Sequence, residues 1–146
     1  MTTHIVDFIS NQTCANICCI DENYKPYCFS CFYVLNSDKG VLYFKSSIKT
    51  KHVDLFQKQP NIAGTILPDK LNKLFVKGIQ FEGRILDSDH PLTIIAPIAY
   101  YKNNPAAIAI PGQLWVIEID HIKMTDSTLG FGKKITWNRK EITVAI

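Results

Sequence analysis

The chain has 146 residues, of which 47% are hydrophobic and 20% charged, and its formal net charge is +3. This length predicts a single domain over residues 1–146, and the composition is typical of a globular protein rather than a disordered one. The weak, scattered positive charge does not predict a nucleic-acid-binding surface, which needs a basic stripe with interleaved aromatics. No apolar run approaches the roughly 20 residues that span a bilayer, and no signal-peptide core opens the chain. We therefore expect a cytoplasmic protein without membrane contact.

The first half of the chain begins with a short predicted helix over residues 3–11, because its apolar residues recur at helical spacing. Three runs rich in aromatic and β-branched residues then predict strands over 14–20, 27–35 and 40–44, separated by turn residues. A helix of two or three turns follows, with Thr50 as its expected cap and Pro60 as its stop.

The second half predicts two strands over residues 61–67 and 74–87, with Gly78 and Gly83 marking bends or bulges. A helix over 91–101 follows, which Pro97 is expected to break or kink, and then a short helix over 105–110. The alternation in residues 114–126 predicts the last strand, and a glycine-bracketed tail ends the fold. These elements predict a mainly β protein, a six- to seven-stranded antiparallel split barrel with short helices, because consecutive hairpins that close on themselves remove exposed sheet edges.

The five cysteines all lie in the first quarter of the chain. An odd number without an export signal argues against a disulfide framework. Cys28 and Cys31 have the spacing of a redox or zinc motif, but three residues along a strand separate their Cα atoms by roughly 10 Å and direct them to opposite faces. We therefore interpret the cysteines as buried structural thiols and predict no metal site.

The sequence contains no nucleophile elbow, no telling pair of carboxylates and no glycine-rich nucleotide fingerprint. Catalytic residues are therefore unknown, and an enzyme of this sequence would take its chemistry from a cofactor. The most informative segment is "YFKSSIKTKH", residues 43–52, which gathers hydroxyls and cations where a strand ends and a helix begins. Such a segment is either a solvated loop or a phosphate site, because a helix N-terminus favours an anion.

The order of elements and the run "GVLYFKSSIKTKHVDLFQKQPNIAGTI" resemble the flavin-binding split-barrel superfamily of pyridoxamine 5'-phosphate oxidase. The segments "KGIQFEGRI" and "IKMTDSTLGFGKKITW" are similar to a small, uncharacterised bacterial family within it. The resemblance implies FMN as the cofactor, with Lys51 as the basic phosphate ligand, Ser46 as the strand-end hydroxyl and Thr50 beside them. The oxidase itself tends to have arginine at the position of Thr50, and its arginine-rich C-terminal signature is absent here, so vitamin B6 oxidation is not expected.

Relatives in that superfamily form two-fold dimers with flavin between the subunits, so the resemblance also implies a homodimer. Backbone groups near Ser30 and Phe32 would then reach the flavin ring, and His52 would assist at the phosphate. A further candidate contact is Gln80, on a strand of the barrel. The second subunit would offer Trp115 and either Lys133 or Lys134. Each has a plainer interpretation, as a core or interface aromatic or as a solvated polar group.

The resulting hypothesis is an FMN-dependent oxidoreductase that takes electrons from NAD(P)H or another small reductant. The alternatives are a non-catalytic flavin-binding or ligand-sensing module, and a split barrel that binds haem or a deazaflavin.

Overall fold

The structure, a computed structural model, describes residues 1–130 and 132–139. Phe131 of the predicted tail and residues 140–146 lie outside them. Within the described residues the chain forms seven β-strands, three α-helices and two short 3₁₀ turns. In chain order they are α1 (Thr3–Ser10), β1 (Cys14–Ile20), β2 (Pro26–Asn36), β3 (Val41–Ser46), α2 (Lys51–Lys58), β4 (Asn61–Ile66), β5 (Lys77–Ile85), α3 (Pro91–Asn103), a 3₁₀ turn (Pro105–Ala109), β6 (Gln113–Asp126), a 3₁₀ turn (Ser127–Leu129) and β7 (Lys134–Asn138).

The strands form one antiparallel sheet in the order β3-β2-β1-β4-β5-β6-β7, and a further pairing between β3 and β6 closes it into a barrel. The closure joins residues 41–46 of β3 to residues 113–118 of β6. Six strands therefore make the barrel and β7 is added outside the ring. The predicted antiparallel barrel is confirmed.

The prediction that residues 114–126 form the last strand is wrong, because β7 follows them. The pairing of β3 with β6 ends at Glu118, and β7 pairs with the next part of β6, from His121 to Thr125. The added strand continues the hydrogen bonding where β3 leaves an edge open. Its inward residues, Ile135 and Trp137, pack against the barrel core.

The barrel interior is filled by alternate residues of each strand, which include Ile17, Phe44, Ile66, Phe81 and Trp115. This period-two pattern is what places one side of each strand inside and the other outside. The helix α1 packs Ile5, Phe8 and Ile9 against the same core.

A second apolar cluster lies on the outer face of β3 and β6. The helix α3 covers this face with Ala96 and Tyr100, which pack against Val41, Tyr43 and Val116. Four consecutive residues of β3 are consequently buried, because both faces of this strand are covered.

Of the break or kink predicted at Pro97, the break does not occur, because α3 continues through Pro97 to Asn103. Because proline has no N–H group, only the hydrogen bond from residue 97 to the carbonyl of Thr93 is missing. The ring of Pro97 lies on the exposed side of the helix.

The predicted strand over 74–87 is also too long. Its first residues belong to an exposed loop, since the pairing of β4 with β5 ends at Ile66 and Ile79. None of the described helices is long and apolar enough to cross a membrane.

The bend predicted at Gly83 is confirmed, because the register of β5 on β6 shifts between Glu82 and Gly83. A Cβ atom built on Gly83 would lie 2.3 Å from the backbone oxygen of Glu118, so only glycine fits this close approach of two strands. Gly78 pairs regularly with Thr125 instead. A Cβ atom there would meet the end of the Leu67 side chain at 3.2 Å.

We expect Gly83→Ala to lower the free energy of unfolding by about 1–3 kcal/mol, because the backbone of β6 must shift to admit the methyl group. Gly78→Ala is the matched control, since the exposed Leu67 side chain can rotate away. Urea unfolding of the three proteins provides the measurement. Equal midpoints for the two variants would contradict the assignment of Gly83 as the obligatory glycine of the bulge.

Candidate functional site

The loop between β3 and α2 is a tight turn that presents hydroxyl groups beside a helix N-terminus. The backbone N–H of Thr50 donates to the carbonyl of Ser47 at 3.1 Å, and the Thr50 hydroxyl donates to the same oxygen at 2.8 Å. Thr50 occupies the predicted cap position, but its side chain makes no capping hydrogen bond. The predicted position is right and the predicted hydrogen bond is wrong, because the hydroxyl is used to close the turn.

The first backbone N–H groups of α2 are consequently open. The N–H groups of Lys51, His52 and Val53 have no acceptor within the helix, and no side chain in the described part of the chain caps them. Free amides and the helix dipole create a positive potential at this point, and the ammonium group of Lys51 adds a full charge. These donors have the chemistry that a phosphate group requires.

Lys51 is held over an aromatic ring of β2. Its Nζ atom lies 4.5 Å from the ring centroid of Tyr27, which is a cation–π contact. The side chain is exposed, so such a contact contributes about 0.5–1 kcal/mol. A contact of this size orients the ammonium group but leaves its N–H donors available to an anion.

His52, the next residue, is stacked on the next inward-facing ring of β2. The rings of His52 and Phe29 are 3.8 Å apart between centroids and only 7° from parallel. The Nε2 atom of His52 also lies 2.5 Å from the hydroxyl of Ser46. Burial lowers the pKa of His52, so the imidazole is neutral near pH 7. The structure therefore joins two of the predicted residues, Ser46 and His52, in one hydrogen bond.

A cleft of about 250 Å³ lies beside this hydrogen bond and brings three predicted residues together. Its lining includes Ser46 at the end of β3 and the outward-facing residues Ser30 and Phe32 of β2. The Phe32 ring is 68% exposed. The Ser30 hydroxyl donates to Asn16 at 2.6 Å, so its side chain already has a partner.

Lys45 is a further residue of the cleft that the sequence did not single out. Its Nζ atom donates to the carbonyl of Ala107 at 2.8 Å and lies 4.9 Å from the centroid of Tyr101. Tyr27 and Phe29 were also missed as supports of Lys51 and His52. Their period-two spacing on β2 is a signal that they share one face, but only the fold shows that α2 lies on that face.

The other predicted contacts lie elsewhere. Gln80 is exposed on β5 and lines a different groove, and Lys133 is exposed in the turn before β7. Lys134 donates to the hydroxyl of Thr125 at 2.8 Å. Trp115 is only 1% exposed and donates its indole N–H to the carbonyl of Ser46 at 3.1 Å. It is a core residue of its own barrel, which contradicts the expectation that its ring is offered to a second subunit.

All five cysteines have free thiols. They were expected to be buried, but not all of them are. Cys19 is buried, whereas Cys14 and Cys28 are exposed. Cys31 is half-buried against the barrel core, and burial raises its pKa to about 12. Cys28 and Cys31 do face opposite sides of β2. Within the described residues no cluster of three or more His, Cys, Asp or Glu residues could hold a metal ion.

The lowered pKa of His52 predicts a pH dependence of stability. An unfolded histidine titrates at roughly pH 6.5, so below that pH the unfolded chain binds more protons than the folded one. The contribution of His52 to stability is thus present above about pH 6.5 and is lost as the pH falls through the lowered pKa. We expect His52→Gln to flatten this part of the profile of urea midpoint against pH. Parallel profiles for the variant and the parent between pH 8 and 5 would contradict this assignment.

No family model matches the chain, but individual relatives do. A UPF0306 protein of Photorhabdus laumondii is 38% identical over 113 residues, which is 77% of this chain and 79% of the relative. A UPF0306 protein of Yersinia enterocolitica is 34% identical over 137 residues, covering 94% of this chain and 92% of the relative. The UPF0306 protein YhbP of Escherichia coli is 33% identical over 121 residues, or 83% of this chain and 86% of the relative.

Solved structures share the fold at low sequence identity. A haem-binding protein of Mycobacterium smegmatis gives a TM-score of 0.74 at 12% identity, over 94% of this chain and 57% of that one. A FAD-binding protein of Mesorhizobium loti gives 0.67 at 13% identity, over 86% of this chain and 95% of that one. A Clostridium acetobutylicum protein of the pyridoxinephosphate oxidase family, related to general stress protein 26, gives 0.66 at 13% identity, over 95% of this chain and 94% of that one. The chain is thus a member of the UPF0306 family, and its fold is the split barrel that these solved structures share.

Proposed function

We propose that the protein binds FMN as a homodimer, with the flavin in a crevice between the subunits, and uses it as an oxidoreductase. The observation that carries this proposal is the uncapped N-terminus of α2, which has the ammonium group of Lys51 and the Ser46–His52 pair beside it. The solved relatives described as FAD-binding and as pyridoxinephosphate oxidase-like support a flavin as the ligand.

The donor set fits a phosphate monoester. The open N–H groups of Lys51 and His52 would donate to phosphate oxygens, and the Lys51 ammonium would neutralise part of the charge. The neutral imidazole of His52 can donate its Nε2 proton to Ser46, which leaves the Ser46 hydroxyl proton for an anion. His52 would then act by holding the hydroxyl, and stacking on Phe29 would hold His52.

The cleft beside the phosphate site fits part of an aromatic ring system. Phe32 presents an exposed apolar face, and the outer edge of β2 near Ser30 provides backbone groups. The cleft volume of about 250 Å³ is below the roughly 300–1,000 Å³ usual for small-molecule sites. A second subunit would supply the missing wall, which is the physical argument for a dimer.

When bound, FMN would supply hydride or single-electron transfer, and the protein would orient the ring and limit the access of water to it. A small reductant such as NAD(P)H would be the electron donor. The competing function is a module that binds the flavin without turnover, and the outcome of the reductant assay separates the two.

The test on the purified protein combines an absorption titration with FMN, a measurement of the molecular mass in solution and an assay with reductants. We expect titration with FMN to give saturable binding with one flavin per chain, and sedimentation to give a dimer. Consumption of NAD(P)H with an electron acceptor would support the oxidoreductase, whereas bound flavin that no reductant reduces would support the non-catalytic module. A Soret band on reconstitution with haem and no binding of FMN would overturn the proposal, as would a monomer indifferent to flavins.

We expect Lys51→Ala to weaken FMN binding by about tenfold to a hundredfold, because it removes a charge-assisted hydrogen bond worth on the order of 1.5–3 kcal/mol. Lys58→Ala is the matched control. It removes the same charge from the other end of α2, about 10 Å away at 1.5 Å per residue, where Lys58 pairs with Asp54. Fluorescence quenching of FMN measures both affinities. Equal weakening by the two variants would show that net charge, not the phosphate contact, determines binding.

A further inference from the structure

Cys18 and Cys28 lie directly opposite each other on neighbouring strands. They are register partners in the antiparallel pairing of β1 with β2. Neither the spacing of the cysteines in the sequence nor the proposed flavin site gives this pair a role.

The pair occupies a position of the ladder where side chains approach closely. The backbone N–H of Asp21 donates to the carbonyl of its partner Lys25 at 3.0 Å, so this is a hydrogen-bonded pair. Hydrogen-bonded and non-hydrogen-bonded pairs alternate along an antiparallel ladder. Counting back three pairs places Cys18 and Cys28 in a non-hydrogen-bonded pair, whose Cα atoms are about 4.5 Å apart. Pro26, which has no N–H group, occupies such a pair as well, opposite Ile20.

That separation lies within the range of about 4.4–6.8 Å that a disulfide bond spans. Burial raises the pKa of the Cys18 thiol, and the neighbouring Cys28 raises it further. A disulfide could therefore form with side-chain rotation and little movement of the strands.

Both thiols are accessible from outside the barrel. Cys28 is exposed and Cys18 is partly exposed. They line one end of an open groove of about 450 Å³ on the outer face of the sheet, which Gln80, His121 and Lys123 also line. A small molecule can reach the pair through this groove.

The positions of the other three cysteines keep them from pairing with Cys18 or Cys28. Cys14 faces outward opposite Phe32, but four residues along β1 separate it from Cys18 by about 13 Å. Cys19 is buried inside the barrel, and its thiol donates to the carbonyl of Tyr27. Cys31 faces the core from β2.

We propose that Cys18 and Cys28 form a reversible dithiol–disulfide centre that reacts with low-molecular-weight disulfides of the glutathione type. The thiolate of the exposed Cys28 attacks one sulfur of the small disulfide, and the other sulfur leaves as a thiolate that takes a proton from water. The Cys18 thiolate then attacks the Cys28 sulfur of the mixed disulfide and releases the second small thiol. The two cysteines lose two electrons and two protons, and one small disulfide becomes two thiols.

The proposal is independent of flavin binding, so it is tested on the purified chain with and without FMN. The protein is equilibrated in buffers that contain oxidised and reduced glutathione at defined ratios. Its free thiols are then alkylated, and its mass is measured by mass spectrometry. We expect the alkylated thiols to fall from five to three in one step as the ratio rises, with no glutathione retained at equilibrium. Retention of one glutathione per chain, or five alkylated thiols at every ratio, would overturn the proposal.

The position of the bond is mapped after cleavage at Glu22, since trypsin does not cut the Lys25–Pro26 bond between the two cysteines. We expect a linked pair of fragments, one containing Cys18 and the other Cys28. Fragmentation within both assigns the bond to Cys18 rather than to Cys14 or Cys19, and to Cys28 rather than to Cys31. Cys18→Ser and Cys28→Ser should each abolish the link, whereas the control Cys14→Ser, also at an exposed outward position of β1, should leave it unchanged. A link that survives Cys18→Ser would overturn the assignment, and the map of the parent protein decides the matter even if a variant fails to fold.

Discussion

The pairing of β3 with β6 is the interaction on which the rest of the structure depends. These strands are not neighbours in the sequence order of hairpins, and joining them turns an open sheet into a barrel. The closure sets Phe44 opposite Trp115, and the indole N–H of Trp115 then donates to the carbonyl of Ser46. A buried indole needs such a partner. The same hydrogen bond fixes the point at which the chain leaves the barrel and enters the turn before α2.

The strand β2 connects the two faces of the candidate site. Its inward-facing rings, Tyr27 and Phe29, hold Lys51 and His52 at the beginning of α2 through a cation–π contact and a parallel stack. Its outward-facing residues line the cleft and the groove on the other face. One strand therefore positions the helix N-terminus, the exposed aromatic ring and the dithiol pair, because alternate residues of a strand point to opposite sides.

The split barrel by itself does not determine the ligand. Solved barrels of this fold that share only about one residue in eight with this chain are described as haem-binding and as FAD-binding. A fold persists at such identity because it needs only the alternation of apolar residues and a few glycines at close approaches. The ligand depends instead on individual groups, here the open amides of α2, one ammonium group and the Ser46–His52 hydrogen bond. Our functional proposal therefore takes the phosphate site from these groups, whereas the choice of a flavin is supported by solved structures that share the fold.

The sequence by itself determined the elements and the class of fold. The content of aromatic and β-branched residues predicted β1 with its bounds, and the bulge at Gly83 was visible as a glycine within a strand pattern. The sequence also placed Ser46, Lys51 and His52 beside one another, because they are near neighbours in the chain. Signals of this kind are local, so they can be seen without knowing the fold.

Only the tertiary structure decided which distant residues meet. The addition of β7 depends on the edge that β3 leaves open on β6, and the burial of Trp115 depends on the closure of the barrel. The register of β1 on β2 brought Cys18 and Cys28 together, whereas the sequence drew attention to Cys28 and Cys31. Strand register and barrel closure are long-range pairings, and no pattern within a single strand specifies the partner across from it.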